Sequence, residues 1–477
     1  MGEEIRQEHF VDRDFARFAA RLRQETALLE DWFRRSPDGA APEKTGFELE
    51  FCLLDQAQAP APENQAVLHD LQDLHLVPEL SRFNLEINSD PHRIGPAVLS
   101  ELRRELEALW GKAAAAAGRR GLKPLMIGIL PTLSESQLNM RNMSPLHRYH
   151  VLNEQVLRQR RGRPLRLDIH GRERLVAEHA DVMLEAAATS LQVHLQVPPG
   201  RAARFFNAAL LASAPLVALA ANSPFLFGKD LWAETRIPLF EQAVDLNSPV
   251  TGAPPLGRVT FGSGYVRHSL FECFSENLER YPILLPEALA EAPERLPHLR
   301  LHNGTIWRWN RPIVAPDEAG CPQLRIEHRV MAAGPSIPDV VANIAAFLGL
   351  AHALAALPEA PEERLSFETA RENFYAAAEG GLDAEISWFG GQRRTLRELW
   401  LGDLLTRVRE GLHDLNLAPG DISYYLEEVL YGRVKTGRTG AAWQREFAAR
   451  HGRDFPALVA AYAERQEGGL PVHAWNL

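Results

Sequence analysis

A short segment near the start of the chain places two carboxylates side by side. In GFELEF, residues 46–51, Glu48 and Glu50 alternate with apolar residues. Alternate residues of a β-strand point to the same face and lie about 7 Å apart, so both carboxylates would share one face. Two anions at that spacing repel each other unless a cation lies over them. The segment therefore predicts a strand that presents a cation site.

Four later segments show the same alternation of apolar and polar residues: NLEINSD, SLQVHLQV, GTIWRWN and LRIEHRVM. Such alternation predicts antiparallel strands that each bury one face. Lys is absent from all of these segments, although a merely solvated face would normally carry it. The polar positions, which indicate a binding face, are Asn84, Glu86, Asn88, Gln192, His194, Gln196, Arg308, Asn310, Arg325, Glu327 and Arg329.

Metal binding is one chemistry that these polar faces could perform. If the strands share a sheet, four carboxylates would cluster, and their mutual repulsion would cost several kcal/mol unless it is neutralised. Hard cations such as Mg²⁺ prefer oxygen ligands and keep several waters, and a histidine could add one nitrogen. The predicted metal ligands are Glu48, Glu50, Glu86, His194 and Glu327.

The arginines of the same segments leave a second interpretation open. Arg308, Arg325 and Arg329 could neutralise the acids through salt bridges alone, or their planar guanidinium groups could bind phosphate and carboxylate ligands. The sequence contains no GxxxxGK[ST] loop, no GxGxxG after a predicted strand, and no HRD, DFG, HExxH or GxSxG motif. A nucleotide would therefore have to bind through metal ions and arginines on a sheet.

A second basic segment lies near the C-terminal end of the sequence. In YGRVKTGRTGAAWQRE, residues 431–446, the basic residues Arg433, Lys435, Arg438 and Arg445 surround three glycines ahead of a predicted helix. A glycine-rich basic backbone before a helix can hold an anion. The alternative interpretation is an exposed basic turn.

Composition narrows the class of protein. The 477 residues suggest one large domain or two to three smaller ones, and 45% hydrophobic residues are ample for a core. A net charge of −10 argues against nucleic acid or an anionic membrane as the main partner.

The three cysteines fit a reducing compartment, so a cytoplasmic location is expected. The most apolar run, 205–227, contains Asn, Ser and Pro and is predicted to be a buried helix rather than a membrane span.

The remaining elements follow from periodicity and helix signals. Residues 37–43 are predicted to be a linker and 57–64 a loop, and a short buried strand is predicted at 125–133. From about 360 the sequence is predicted to be mostly helical. The earlier predicted helices are 13–35, 97–118, 145–161, 201–221 and 338–356.

Five motifs in a fixed order resemble the glutamate–cysteine ligase family, most closely its bacterial second type, also called carboxylate–amine ligases. The motifs are GFELEF, NLEINSDP, SLQVHLQV, ALAANSPFLFGKDLWAETR and RIEHR, and RENFYAAAEGGLDA and GRTGAAWQRE resemble the closing motifs. The resemblance runs from about residue 44 to 450. It implies an α+β fold of the glutamine synthetase and guanido-kinase group, in which a curved antiparallel sheet of about six strands forms a funnel covered by helices.

The resemblance also implies a domain organisation and a set of ligands. We expect a catalytic sheet-and-helix core at 44–357, a helical C-terminal part of the same catalytic unit at 358–477, and an N-terminal helix and linker at 1–43. The funnel would bind ATP and two or three Mg²⁺ ions. Small-molecule substrates are the expected partners, and an oligomer is possible.

Roles carry over from the family position by position for the metal ligands, Arg329 and Arg236, and the other residues named here are further candidates for the same roles. The predicted metal ligands match the family's acids and histidine, and Glu327, Arg329 and Arg308 would act on the transferring phosphoryl group. Arg329 would contact phosphate, and Lys435, Arg438 and Arg445 would assist in binding ATP. The residues expected to bind substrate are Arg236, Asn222, Gln192 and Arg148, the last at the end of a loop, 134–148, that could close over the site.

The expected reaction is ATP-dependent amide-bond formation. The γ-carboxylate of glutamate would attack the γ-phosphate of ATP to give an acyl phosphate, and the amine of cysteine would then displace phosphate. Three alternatives stay open at this point: a ligase of the same fold with another acid or amine, a metal-dependent hydrolase that does not need ATP, and a non-catalytic relative that binds ATP or an amino acid.

Overall fold

The computed structural model describes residues 5–7, 9–35, 43–246, 256–317 and 321–477. All of the predicted linker 37–43 except its last residue lies outside these ranges. The first described helix, Asp12–Arg35, confirms the helix predicted at 13–35.

The strands of the described residues, in chain order, are β1 (Lys44–Leu54), β2 (Leu76–Pro78), β3 (Asn84–Asn88), β4 (His92–Arg93), β5 (Lys123–Leu125), β6 (Leu165–His170), β7 (Arg174–His179), β8 (Ser190–Val197), β9 (Phe225–Leu226), β10 (Lys229–Asp230), β11 (Val259–Thr260), β12 (Trp307–Arg308), β13 (Asn310–Pro316), β14 (Pro322–Ala332), β15 (Glu385–Ser387) and β16 (Arg393–Thr395).

The α-helices, in the same order, are α1 (Asp12–Arg35), α2 (Asn64–Leu71), α3 (Val98–Gly118), α4 (His147–Gln159), α5 (Ala202–Leu219), α6 (Arg236–Ala243), α7 (Phe271–Arg280), α8 (Pro297–Gly304), α9 (Ile337–Ala355), α10 (Pro361–Arg364), α11 (Phe367–Gly380), α12 (Leu396–Leu399), α13 (Leu405–Asp414), α14 (Pro419–Ile422), α15 (Tyr431–Thr436), α16 (Gly440–His451) and α17 (Phe455–Glu467). Wider π-helical stretches join α12 to α13 (Trp400–Leu404) and α14 to α15 (Ser423–Leu430).

One curled antiparallel sheet organises the molecule. Its strands follow the order β13–β14–β8–β1–β3–β2, and β4 and β5 also pair with β1. Every pairing in this sheet is antiparallel. The predicted fold, a curved antiparallel sheet of about six strands with helices outside, is therefore confirmed.

The register of this sheet brings the polar positions of different segments together. Glu50 pairs with Glu86 across β1 and β3. His194 of β8 pairs with Gly46 on one side and with Glu327 of β14 on the other. Paired residues of adjacent strands point to the same face, so the predicted acids and the histidine share one surface.

The opposite face of the sheet is apolar and carries the core. Leu191, Val193 and Leu195 of β8 are essentially fully buried. The helices α3, α5 and α9 pack against the sheet from this side. Two segments, Pro199–Leu219 and Ile337–Ala355, are long and apolar enough to cross a membrane, but 89% and 94% of their apolar windows are buried inside the protein. The apolar run predicted to be a buried helix lies largely in the first of them.

The helices predicted at 97–118, 145–161, 201–221 and 338–356 are confirmed as α3, α4, α5 and α9. The strand predicted at 125–133 is wrong for most of its length, since β5 ends at Leu125. Beyond that point the Gly128 amide donates to the Asn222 carbonyl and the Gly128 carbonyl accepts from the Thr189 amide, both in connecting segments, so this part of the chain does not join the sheet as a strand.

The part of the chain after residue 360 is mostly helical, as predicted, with one small hairpin formed by β15 and β16. It is joined to the sheet-bearing part by buried polar contacts. Gln466 Nε2 donates to the Met126 carbonyl at 2.8 Å, and Arg433 Nη2 donates to Asp339 Oδ1 at 2.7 Å. The boundary proposed between 357 and 358 stays a prediction.

Candidate active site

The polar face of the sheet forms the wall of a large cavity of about 670 Å³. Strands β1, β3, β8, β13 and β14 each contribute side chains to it. The alternation seen in the sequence explains this wall, because each strand buries its apolar residues against helices and turns its polar residues inward.

Three of the predicted metal ligands converge at this wall: Glu48 and His194 line the cavity, and Glu327 is fully buried next to His194. His194 Nε2 lies 3.2 Å from Glu48 Oε1 and 3.9 Å from Glu327 Oε1. The ligand atoms of these three residues all lie within 4.8 Å of one another. The other ring nitrogen, His194 Nδ1, is buried and has no hydrogen-bond partner in the described part of the chain. Two carboxylates and an imidazole at this spacing are a suitable donor set for a divalent cation.

Glu327 is also held by two arginines. Arg311 donates from Nε and Nη2 to the two carboxylate oxygens, both at 2.8 Å, and Arg329 Nη1 donates at 2.9 Å. Burial alone would raise the pKa of Glu327, but Arg311 and Arg329 outweigh it and lower the pKa to about 2. The predicted salt bridging of the acids by arginines is therefore present at Glu327. One partner is Arg329, as predicted, and the other is Arg311, which was not predicted from the sequence.

The two remaining predicted metal ligands lie on the same face but outside the cluster of three. Glu50 accepts hydrogen bonds from the Ser190 amide at 2.6 Å and from Gln192 Nε2 at 3.0 Å. Burial, followed by Glu79, raises the pKa of Glu50 to about 7. Burial, followed by repulsion from neighbouring glutamates, raises the pKa of Glu86 well above its usual value.

Two further acids line the cavity, and neither was predicted from the sequence. Glu79 follows β2, and Glu185 lies on a 3₁₀ helix, Val182–Ala187, just before β8. Burial is the main cause that raises the pKa of both, and the pKa of Glu185 reaches about 8. Neither acid stands in an alternating segment, so strand periodicity could not have identified them.

Three of the four predicted substrate-binding residues line the cavity: Gln192, Arg148 and Arg236. Gln192 accepts a hydrogen bond from Arg329 and donates one to Glu50. Arg236 is only 2% exposed. It donates to Glu234 Oε1 at 3.0 Å and to the Val330 carbonyl at 2.7 Å, which anchors α6 beneath β14.

Asn222 lies elsewhere, and its assignment to the substrate is corrected. The residue is fully buried between the sheet-bearing part and the C-terminal helices. Its Nδ2 donates to the Ala333 carbonyl at 2.7 Å and to the Tyr462 hydroxyl at 2.8 Å, and its Oδ1 accepts from Gln444 at 2.9 Å. These contacts fully occupy the side chain and give it a structural role.

Arg308 also differs from its predicted role, because it points away from the cavity. The alternation is kept in this segment, but its two faces are opposite to the predicted ones, because the tryptophans and not the polar residues face the cavity. Arg308 Nη1 donates to Asn277 Oδ1 at 2.5 Å and Nη2 donates to Glu276 at 2.7 Å, while Trp307 and Trp309 line the cavity. A role of Arg308 in phosphoryl transfer is therefore contradicted.

The basic segment 431–446 does not form an anion-binding loop. It consists of helices α15 and α16, and its basic side chains are engaged locally. Arg438 donates to the Trp475 carbonyl at 2.7 Å and to Glu446 at 2.9 Å. Arg445 pairs with Asp230 at 2.7 Å, and the Lys435 ammonium lies over the Tyr431 ring. The assignment of Lys435, Arg438 and Arg445 to ATP is corrected accordingly.

The glycines of this segment have structural explanations. Gly437 ends α15 in the left-handed conformation, with φ of 71°. At Gly440 an added Cβ would lie 2.0 Å from Asn222 Oδ1, so the backbone can approach Asn222 only without a side chain. Helix termination and close packing therefore account for a pattern that resembled a phosphate loop.

One guanidinium in the cavity is not used by the fold. The side chain of Arg325, on β14, lines the cavity, and its guanidinium makes no hydrogen bond to the described residues. Burial lowers the pKa of Arg325, and Glu327 and Glu48 oppose that effect. A guanidinium beside the three-residue cluster is well placed to contact an anion bound there.

Comparison with known proteins gives the family. A family model described as glutamate-cysteine ligase family 2 matches residues 44–464. The chain belongs to this family. It is therefore a ligase that forms amide bonds, as the order of motifs in the sequence indicated. A search of curated protein sequences found no match.

Solved structures agree on the fold. The chain is similar to a glutamate–cysteine ligase from Francisella tularensis, with a TM-score of 0.51 and 10% identity over 90% of this chain and 89% of that one. It is also similar to a bifunctional glutathione synthetase from Pasteurella multocida, with a TM-score of 0.52 and 12% identity over 94% of this chain. The chain spans about half of that second protein, 54% of its length.

Proposed function

We propose that this ligase uses ATP and Mg²⁺ to join the γ-carboxylate of glutamate to the amine of cysteine through an acyl phosphate. The observation that carries the proposal is the convergence of Glu48, His194 and Glu327 at the wall of the cavity that Arg325 also lines. Family membership supports amide-bond formation, and the similar Francisella tularensis ligase was solved in complex with AMP. A cytoplasmic location stays a prediction.

The donor set fits a divalent cation. Glu48, His194 and Glu327 would hold it, since their contacts of 3.2 and 3.9 Å are near the separation of about 3 Å expected between adjacent ligands of Mg²⁺. Glu50 and Glu86 lie on the same face and are candidates for a further ion. When bound, a divalent cation supplies positive charge that offsets the charge on the transferring phosphoryl group.

Arg325 and Arg329 are the chain's own groups for the first chemical step. A carboxylate oxygen of the acid attacks the γ-phosphorus of ATP, the bond to the β-phosphate oxygen breaks, and ADP leaves with that electron pair. Arg325 is free of other hydrogen bonds to the described residues and would contact phosphate oxygens. Arg329 is bonded to Glu327 and Gln192, so it orients the cluster and adds positive charge.

The second step joins the two substrates. The amine nitrogen attacks the acyl carbon, the bond from that carbon to the phosphate oxygen breaks, and inorganic phosphate and a proton are released. Water must be excluded meanwhile, because an acyl phosphate hydrolyses. The segment 134–148 stays a candidate lid, and its Arg148 lines the cavity.

The test is release of ADP by the purified protein with Mg²⁺ and ATP. Glutamate alone, glutamate with cysteine, and glutamate with a panel of other amines are compared, and each product is identified by mass. Turnover that requires glutamate and cysteine together is the expected result.

The same assay separates the alternatives. Turnover with glutamate and a different amine would keep the ATP chemistry and change the substrate. Hydrolysis of an amide without ATP would support a metal-dependent hydrolase. Binding of ATP without ADP release in any mixture would support a non-catalytic relative and contradict the proposal.

A further inference from the structure

Glu185 lines the cavity, yet the metal and phosphate sites proposed above do not use it. It lies on the 3₁₀ helix Val182–Ala187, which leads into β8. Its Oε2 atom is buried and has no hydrogen-bond partner in the described residues. A buried carboxylate oxygen without a donor is costly, so its position is explained if a ligand supplies the donor.

The charges around Glu185 are mostly negative. Burial, followed by Glu79, raises its pKa to about 8, Glu50 raises it further, and Arg329 is the group that lowers it. Arg329 already donates to Glu327 at 2.9 Å. This part of the cavity therefore favours a cationic ligand, whose charge would keep Glu185 ionised.

The geometry favours an ammonium group over a metal ion. Among the described residues, Glu185 belongs to neither group of three whose ligand atoms lie within 4.8 Å of one another. A metal ion needs several ligands that converge on one point. An ammonium group has three donors, which can each find a separate acceptor.

An arginine lies in the same cavity and completes the pattern of an amino-acid head group. Arg148 lines the cavity and is the first of the groups that oppose the effect of burial on the pKa of Glu79, and Glu79 in turn raises the pKa of Glu185. The ammonium and carboxylate of an α-amino acid stand on one carbon, so a receptor for them needs an acid and a guanidinium at short range.

We propose that Glu185 binds the α-ammonium group of the acid substrate and so selects an α-amino acid over a simple carboxylic acid. This inference rests on the proposed function, since the acid is the substrate that ATP activates there. It adds a specificity-determining residue on the 3₁₀ helix Val182–Ala187 to the site formed by the strands.

The test compares L-glutamate with glutarate, which has the same carbon chain and both carboxylates but lacks the ammonium group. The ratio of kcat/KM for the two acids is measured in the wild type and in Glu185→Gln. Glu185→Gln removes a charged hydrogen bond that L-glutamate can make and glutarate cannot. It should therefore lower the ratio of kcat/KM for glutamate to that for glutarate by about 10- to 100-fold. Glu185→Asp keeps the charge and should retain more of the preference than Glu185→Gln.

Glu178→Gln, at an exposed position on β7, is the matched control and should leave the ratio unchanged. Thermal unfolding of each variant checks that the fold is intact. An equal loss of kcat/KM for both acids in Glu185→Gln, or a change confined to KM for the amine, would overturn the inference.

A failure of the proposed function would look different. If the wild type releases no ADP, binding of L-glutamate and glutarate is measured by calorimetry instead. Tighter binding of glutamate that disappears in Glu185→Gln would support the ammonium site. Equal binding of the two acids, or binding of neither, would overturn it.

Discussion

The acids of the cavity fall into two groups with opposite electrostatics. In the paired group, which consists of Glu48 and Glu327 with His194, Glu327 is held by two arginines and its pKa falls to about 2. In the acid-rich group, which consists of Glu50, Glu79, Glu86 and Glu185, burial and mutual repulsion raise the pKa values.

The difference arises from the positions of the arginines in the sheet. Arg311 and Arg329 stand on the neighbouring strands β13 and β14 and reach Glu327 directly. Glu50 on β1 and Glu86 on β3 have other acids as neighbours, and they pair with each other across the two strands. The arginines therefore favour the ionised form of Glu327, whereas burial and neighbouring acids disfavour ionisation in the second group.

The largest effect is expected from the paired group. Glu327→Gln should reduce ADP release by about 10³-fold or more, since it removes a proposed ligand of the divalent cation. It should also destabilise the fold by roughly 3–5 kcal/mol, because Arg311 and Arg329 lose a buried partner. Chemical unfolding and the ADP assay measure the two effects, and unchanged stability would contradict the role assigned to the ion pairs.

Arg325 should affect binding of ATP without affecting folding. Because its guanidinium makes no hydrogen bond to the described residues, Arg325→Gln should leave the unfolding midpoint nearly unchanged. Loss of a charged contact to phosphate should raise KM for ATP by about 10- to 100-fold. A normal KM for ATP in this variant would remove Arg325 from the site.

Substitution in the acid-rich group should change stability in the opposite direction. Glu86→Gln removes an acid whose pKa is raised by burial and by neighbouring glutamates, so it should stabilise the protein by about 1 kcal/mol without divalent cations. Added Mg²⁺ should narrow the difference from the wild type. If Glu86→Gln were less stable than the wild type in EDTA, repulsion between Glu86 and the neighbouring glutamates would not be the dominant effect.

Stability should also depend on pH in a way that separates the two groups. The pKa values of Glu50 and Glu185 are about 7 and about 8 in the folded protein, against 4.5 normally. Between pH 5 and 8 the folded state therefore holds more protons than the unfolded state, and the free energy of unfolding should fall as pH rises. The pKa of Glu327 is lowered instead, so the stability that its ionised form contributes is lost as pH falls from 4.5 towards 2.

Chemical denaturation in EDTA at pH 5, 6, 7 and 8 measures this slope. Glu185→Gln should show a shallower decline than the wild type, while Glu178→Gln should match the wild type. Parallel curves for the wild type and Glu185→Gln would contradict the raised pKa of Glu185.

The smallest effect is expected outside the cavity. Arg438 pairs with Glu446 and with the Trp475 carbonyl on the C-terminal helices. Arg438→Gln should leave KM for ATP unchanged within about twofold and cost at most about 1 kcal/mol of stability. A large rise in KM would restore the interpretation of segment 431–446 as a nucleotide-binding loop.

Strand periodicity predicted most of the cavity wall, because a period of two fixes which face a residue takes once the other face is buried. Glu48, Glu86, His194 and Glu327 were placed correctly on one surface for this reason. At Arg308 the period was right but the face was wrong, since Trp307 and Trp309 face the cavity and Arg308 binds Asn277 and Glu276 on the other side.

Strand β13 was missed for a different reason. Its sequence, NRPIVAP, contains Pro312 and Pro316, which argue against a strand inside a sheet. The strand lies at the edge of the sheet, where proline is tolerated, and it carries Arg311 into the cavity. Glu79 and Glu185 were missed because the short segments that hold them have no periodic pattern.

The most direct test of the account is ADP release by the wild type, Glu48→Gln and Arg438→Gln with Mg²⁺, ATP, glutamate and cysteine. We expect wild-type turnover that needs both amino acids, a loss of about 10³-fold in Glu48→Gln, and little change in Arg438→Gln. Full activity in Glu48→Gln, or loss of activity only in Arg438→Gln, would contradict the assignment of catalysis to this cavity.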